Sequence, residues 1–288
     1  MKQGVILVAC GHPYYGNYAN QLCRSIKVVA PGTKVVLAHG DNGAGHLYQH
    51  NNHFDQMIPI PEDMMRTNGL KDYLKVKTCL YELSPFKETI FVDADCIWTP
   101  QKPITILFEQ FKDIPFTIAN RGKIELEKAA SSFIHWADPK AIAEKYSIKK
   151  GWLYNLASEL IYFKKSKEVK KLFAEARAVF ESPKIDYKPF ARSLPDELAF
   201  EIAMLKTGIY PHAAPFIPFY WEHFERRRLK VSEIYQNYFA YSLGGNIVNK
   251  TCASIYKSLA TNYNKQFGIN GYFPAKDKKS FLPERQQI

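Results

Sequence analysis

Asp93 and Asp95 stand two residues apart at the end of the apolar run Thr89-Ile90-Phe91-Val92. In an extended chain the side chains at i and i+2 share a face, so both carboxylates can address one divalent cation while Phe91 and Val92 bury the strand behind them. Paired hard oxygen ligands suit magnesium or manganese, which take their remaining ligands from water and substrate phosphates rather than from a complete protein cage. The alternative for any Asp-x-Asp tripeptide is a solvated acidic turn. The elements that position the pair decide between the two.

Residues 5–10 form a continuous apolar run bounded by Gly4 and Gly11, the pattern of a strand buried on both faces. Tyr18, Leu22, Ile26 and Val29 then recur at helical spacing until Pro31-Gly32, and residues 34–38 read as a second buried strand. This strand, helix and strand predict a βαβ unit with a right-handed crossover. A third strand over 54–60 is weakened by Pro59, and an amphipathic helix over 70–83 stops before Ser84-Pro85, ahead of the strand 89–92 that delivers the aspartates. Ligands of open α/β sheets sit beyond the carboxyl ends of the strands, so the loops after Cys10, Ala38 and Val92 are expected to line one crevice.

Further on, the pattern predicts a helix over 104–111, a strand over 116–119, a loop of mixed polarity over 121–150 with a helix around Ala141, and a strand over 160–163. Val169, Leu172, Phe173, Ala176 and Phe180 mark another helix. Pro195-Asp196-Glu197 opens one more, with Asp196 in a capping position and Leu198, Ile202 and Leu205 turned inward. Residues 209–224, rich in proline and aromatics, read as an irregular wrapped connection.

The 288 residues, 46% hydrophobic and 14% aromatic, can bury one large α/β core with a small C-terminal extension; the expected division is 1–220 and 221–288. No apolar run approaches the roughly 18 to 20 residues of a bilayer span, and the first residues carry no signal-peptide pattern, so the chain reads as soluble and cytoplasmic. Five widely spaced cysteines, Cys10, Cys23, Cys79, Cys96 and Cys252, read as buried free thiols of a reducing compartment, without zinc spacing. The net charge of +11 is unevenly placed, in Lys164-Lys165, Lys170-Lys171, Arg226-Arg227-Arg228 with Lys230, and then Lys276, Lys278 and Lys279. Such an excess favours an anionic partner, although a lysine-rich solvated surface would account for it equally.

Residues 77–98, KTCLYELSPFKETIFVDADCIW, resemble the nucleotide-sugar-dependent glycosyltransferases of the GT-A fold, in particular the glycogenin and bacterial galactosyltransferase-like group; the resemblance extends less specifically over residues 5–210. It implies a Rossmann-like, mixed but mainly parallel sheet flanked by helices. It also implies a UDP-sugar donor and a Mn2+ or Mg2+ ion with Asp95 as direct ligand and Asp93 as ligand or ribose contact. Ala9, Gly11, His12 and Tyr15, with Tyr14, match the loop that holds uracil and ribose in that group, and His39 and Asp41 are weaker candidates for the same pocket. Ala94 lies between the two ligands, and Lys77 and Lys75 could add positive charge beside the diphosphate.

Three positions depart from or extend the family pattern. Ala157-Ser158-Glu159 replaces an Asn-Ser-Gly or Asn-Ala-Gly segment, leaving Glu159 either near the reactive sugar carbon or at the surface. Asp196-Glu197 occupies the place of an Asp-Gln or Asp-Glu motif that contacts donor sugar and acceptor, with Glu197 as base or support. A late His-x-x-Gly, the usual third metal ligand, is replaced by Tyr241-Ser242-Leu243-Gly244-Gly245; His212 and His223 are the alternatives.

These readings converge on sugar transfer to an acceptor hydroxyl, with retention of configuration implied by the subgroup. The acceptor could be a surface glycan or lipopolysaccharide intermediate, a protein tyrosine, or a hydroxymethylated base in duplex DNA. The DNA reading is favoured by the net charge and by the lack of an expected membrane anchor, and the lysine-, asparagine- and tyrosine-rich composition would suit a phage enzyme in the host cytoplasm. It requires a flipped base, with Trp221, Arg226, Arg227, Arg228 and Lys230 on the strand. A nucleotide-sugar-binding module without catalysis is the alternative of another class.

Overall fold

The computed structural model describes residues 1–12, 14–40, 53–190, 192–221, 229–244 and 250–269, with only the backbone given for Tyr14 and residues 250–253. Six strands form the central sheet: β1 (Gln3–Ala9), β2 (Val35–His39), β3 (Gln56–Pro59), β4 (Glu88–Val92), β5 (Phe116–Glu125) and β6 (Trp152–Lys164), in the order β3-β2-β1-β4-β6-β5. β3, β2, β1 and β4 run parallel to one another, whereas β6 runs antiparallel to both β4 and β5. The sheet is therefore mixed and mainly parallel, as expected.

Four longer helices cover it: α1 (Tyr14–Val29), α2 (Lys167–Glu181), α3 (Asp196–Thr207) and α4 (Lys250–Gln266). Alternation along β1 shows how the layers are made. Val5, Leu7 and Ala9 join a core with Leu22 and Ile26 of α1, while Ile6 and Cys10 join a second core with Phe173 of α2 and Phe200 of α3. Helices on both faces explain why the run is apolar throughout. Each fully buried side chain of this size adds about 1.5–3 kcal/mol to the hydrophobic term.

The predicted βαβ unit forms as β1-α1-β2. Strand order reverses between β1, whose other neighbour is β2, and β4, so the loops leaving β1 and β4 flank a switch point where open sheets leave a crevice. The strand Cys96–Trp98 after the aspartates joins a second sheet. It pairs antiparallel with Ala240–Ser242, which pairs in turn with Phe219–Tyr220. α4 braces this exit: Tyr263 Oη donates to the Trp98 carbonyl at 2.8 Å, and Arg24 Nη1 of α1 donates to Asn264 Oδ1 at 2.9 Å. Among the described residues no helix is long and apolar enough to cross a membrane. Cys23, Cys79 and Cys96 are free and buried, and Cys10 is buried as well.

Several elements differ from expectation. The helix predicted over 70–83 is instead a hairpin arm, a 3-10 helix (Tyr73–Cys79) and one α turn (Leu80–Leu83). Asn68-Gly69, with φ of 51° and 79°, reverses the chain so that Thr67 pairs with Leu70 and Arg66 with Lys71. Positive φ at both turn residues is what an Asn-Gly hairpin requires, and it leaves Leu70 74% exposed rather than on a buried helix face. Segment 121–125, read as loop, extends β5, and residues 152–159 extend β6. The two halves pair across register shifts at Ile118/Ala119 and Asn120/Lys123, and such bulges erase the simple alternation by which a strand is recognised. Asp196 opens α3 but does not cap it. The N-cap is Pro195, and the Asp196 carboxylate turns away toward Lys77.

Candidate active site

β4 ends at Val92, and the next three residues fold into a turn held at both sides. Asp93 N donates to the Glu159 carbonyl of β6 at 2.9 Å, Cys96 N donates to the Asp93 carbonyl at 3.1 Å, and Leu243 N donates to the Asp95 carbonyl at 3.2 Å. Leu243, with Ser242 before it, thus lies against the Asp95 backbone. Asp95 is 8% exposed, while Asp93 is half-buried. Burial pushes the Asp93 carboxyl up to about 7; Lys77 opposes this and the charge of Asp95 adds to it. Tyr15 is 40% exposed, and its phenol is pushed up by partial burial and by the charges of Asp95 and Asp93.

Lys77 is the hub of the site. Its Nζ donates to Asp93 Oδ2 and to Ser158 Oγ, each at 2.9 Å, and lies 3.3 Å from Asp196 Oδ2 as an ion pair. Ser158 Oγ in turn donates a hydrogen bond to Glu197 Oε1 at 3.1 Å. Burial alone would lower the lysine pKa, but Asp196, Asp93, Glu197 and Glu159 together hold it well above its ordinary value. Lys77 is therefore the ammonium of a carboxylate cluster and not an exposed lysine on a helix. Burial, reinforced by Asp93, raises Glu159 well above the usual carboxylate range. Burial and the neighbouring Asp196 push Glu197 up to about 8.

A carboxyl whose pKa is raised on folding from 4.5 to about 8 contributes stability at low pH that is lost as pH climbs through that window. Glu197→Gln should therefore gain thermal stability relative to the parent as pH rises from 5 to 8, with little difference below pH 4.5. Melting curves across that range check it, and a pH-independent difference would contradict the buried, protonated glutamate.

The structure brings Tyr15, Lys77, Asp93, Asp95, Glu159, Asp196 and Glu197 together. It separates others from them. Lys75 does not face the site; its Nζ donates to the carbonyls of Asp63 (2.8 Å) and Arg66 (2.7 Å) and pairs with Glu181, stapling the 3-10 helix to α2. His212 is exposed, and Lys230 is exposed at the head of the helix Val231–Asn237, where its N–H donates to Glu233 Oε2. Ala9 and Ala94 are buried, and the Ala9 carbonyl is already taken by Gly40 N at 2.9 Å. Gly11 takes φ +84°, and a Cβ there would meet the Tyr73 ring at 2.8 Å, so the loop after β1 is pressed close by Tyr73. His12 and His39 lie half-buried at the ends of β1 and β2, each with its pKa lowered by burial. Asp41, His223, Arg226, Arg227, Arg228 and Gly245 lie outside the described residues.

Two polar residues were missed by sequence reasoning. Ser158 bridges Lys77 and Glu197, although its position beside Glu159 was the only hint. Glu201 lies one helical turn after Glu197, a spacing that was visible but carried no motif. Beyond the carboxylates a cleft of about 460 Å³ opens, bordered by Glu159, Glu197, Glu201, Asn155, Trp136 and Trp221. Trp221 is 2% exposed with the Arg121 guanidinium 4.6 Å above its ring, so it forms cleft wall and is not a free surface residue.

Among the described residues, Asp93 and Asp95 are the adjacent carboxylates that could address a cation. Among the described residues no group of three or more histidine, cysteine, aspartate or glutamate side chains could hold a metal. Two adjacent hard carboxylates, one raising the pKa of the other, fit a magnesium- or manganese-like ion that completes its shell with phosphate and water.

No family model matches the sequence, and no curated protein matches it. Solved structures do match: the central sheet flanked by helices is the fold of the GT-A glycosyltransferases. Galactosyltransferase LgtC, crystallised with donor and acceptor sugar analogues, is 11% identical, with a TM-score of 0.55 over 96% of this chain and 100% of that one. An active-site glutamine-to-glutamate mutant of LgtC gives 11% identity and a TM-score of 0.54 over the same shares. The bifunctional glycosyltransferase WbbM, in its apo form, gives 12% and 0.50 over 84% of this chain; the chain spans 45% of WbbM.

Proposed function

We propose that this protein transfers a sugar from a nucleotide donor, a UDP-sugar by resemblance, to an acceptor hydroxyl. The observation that carries the reading is the carboxylate cluster around Lys77. It sets Asp93 and Asp95 on one side and Asp196, Glu197 and Glu159 on the other, at the carboxyl edge of the sheet. Asp95 and Asp93 would hold a divalent ion, which when bound supplies charge neutralisation for the departing diphosphate. Lys77 fixes Asp93 and Asp196 with one ammonium and adds positive charge close to the same place. Tyr15 and the Gly11-His12 loop line the nucleoside side.

In the transfer the bond from the anomeric carbon to phosphate oxygen breaks, its electrons leave with the nucleoside diphosphate, and the acceptor oxygen forms the new bond while its proton passes to the departing diphosphate oxygen. Glu197, hydrogen-bonded to Ser158, supports the sugar and the acceptor hydroxyl. Glu159 lends a second carboxyl beside the reacting carbon, and retention of configuration follows the subgroup resemblance. A saccharide acceptor is favoured by the structural neighbours, one of which holds donor and acceptor sugar analogues. The second reading, a hydroxymethylated base in phage DNA, is favoured by the net charge of +11.

One experiment weighs both. The protein is incubated with manganese and a panel of UDP-sugars, and UDP release is followed with a glycan or with hydroxymethylated duplex DNA present. The expected outcome is release stimulated by the saccharide. Stimulation by DNA alone would select the second reading, and no turnover with any donor would leave a nucleotide-sugar-binding module.

A further inference from the structure

Glu201 follows Glu197 by one turn of α3, so the two side chains rise on the same helix face. It is 2% exposed. Oε1 accepts the backbone N–H of Tyr154 at 2.6 Å, whereas Oε2 has no hydrogen-bond partner, and no cation pairs with the carboxylate among the described residues. A buried polar atom left without a partner is rare and costly. Here the residue borders the cleft of about 460 Å³, and Glu159 Oε2, on the same cleft, is likewise unpartnered.

The remaining wall narrows the ligand. Trp136, Trp221 and Tyr154 give apolar faces, and Arg121 adds a positive charge that disfavours a cation. The volume falls within the roughly 300–1,000 Å³ of small-molecule sites, where apolar walls and a few placed polar groups recognise the ligand. Glu159 and Glu197 border this cleft while Asp93, Asp95 and Lys77 do not, so it lies on the far side of the carboxylates from the metal pair. Burial also holds the Glu201 carboxyl well above its usual range, against the opposing Tyr154 amide, so the group keeps a proton to donate.

We propose that Glu201 binds the acceptor, donating a hydrogen bond from Oε2 to a hydroxyl of a neutral pyranose seated against the cleft's tryptophans. This rests on the sugar-transfer reading and names the acceptor class for it. Glutamine can replace the acid, because its oxygen accepts from Tyr154 and its amide donates into the cleft. Methionine, of similar length, cannot.

Methyl β-glucopyranoside and methyl β-galactopyranoside are titrated into the full chain with tryptophan fluorescence as the readout, and folding is checked by thermal melting. At least one glycoside is expected to bind, with its dissociation constant raised about tenfold in Glu201→Met and restored to within about threefold in Glu201→Gln. If the methionine variant does not fold, Glu201→Asp, which withdraws the carboxyl by one methylene, should show the same rise. Equal binding by parent and folded Met or Asp variants overturns the proposal. So does a 5-hydroxymethylated nucleoside that saturates the same signal when neither glycoside does. Calorimetry of UDP with manganese on the parent protein tests the donor reading separately: UDP binding without any glycoside binding sinks the Glu201 assignment alone, and glycoside binding without UDP binding sinks the donor reading alone.

Discussion

Asp95→Asn should abolish metal-dependent release of nucleotide from a UDP-sugar, lowering the turnover by roughly 10³-fold, the scale seen when one preorganised charge-stabilising group is lost. The effect is large because, among the described residues, no third histidine, cysteine, aspartate or glutamate joins the pair as a metal-holding group. Asp93 and Asp95 are the carboxylates of the pair, and the segment beside them offers Ser242 and Leu243 in place of a third ligand. Asparagine keeps the shape and the backbone bond from Leu243, so the fold should survive. Asp93, now without a like charge beside it, should titrate below the value of about 7 that it has with Asp95 present. Initial rates against manganese concentration, with circular dichroism as the control for folding, check the result. A variant retaining activity within threefold would show that the pair does not hold the ion.

Lys77→Met should cost about 3–5 kcal/mol of stability at pH 8, the range for removing one partner from a buried charge network. The Lys77 side chain is only 14% exposed, and its ammonium touches Asp93 and Asp196 while Glu197 and Glu159 stand close by. Without it these carboxyls share a buried space with no counter-ion. The sign with pH follows from their raised values. Folded Asp93 at about 7 and Glu197 at about 8 take up protons as pH falls, while the unfolded chain does so only near 4 to 5, so the penalty shrinks toward pH 5. Urea unfolding at pH 5 and pH 8 measures both halves. A loss under 1 kcal/mol at pH 8, or one independent of pH, would mean that Lys77 is not the counter-ion of the cluster.

The two predictions rest on residues that differ in how readable they were. Asp93 and Asp95 were visible because a strand end is a local event: an apolar run buried on both faces stops, and polar residues follow within three positions. The β1-α1-β2 unit was visible for the same reason. Lys75 and Lys77 show the opposite case. They looked equivalent on a predicted amphipathic helix, yet the chain winds there as a 3-10 helix, whose period of three places residues two apart on different faces. One lysine became a structural staple and the other the centre of the site. The Asn68-Gly69 turn that shortened the helix is itself a hairpin signal in the sequence, one that the helix expected over 70–83 left out of account.

By itself the sequence determined the buried parallel strands, the place where the chain leaves β4, and the chemistry of a paired carboxylate edge, since each depends on residues close together in the chain. The tertiary structure decided that Asp196, drawn as a helix cap, faces Lys77, that Ser158 links Lys77 to Glu197, and that Glu201 closes the cleft behind them. Those contacts join the 3-10 helix, β6 and α3 across as many as 119 positions of sequence, between residues 77 and 196. Which partner a buried charge meets is set by the packing of whole elements, and no local pattern records it.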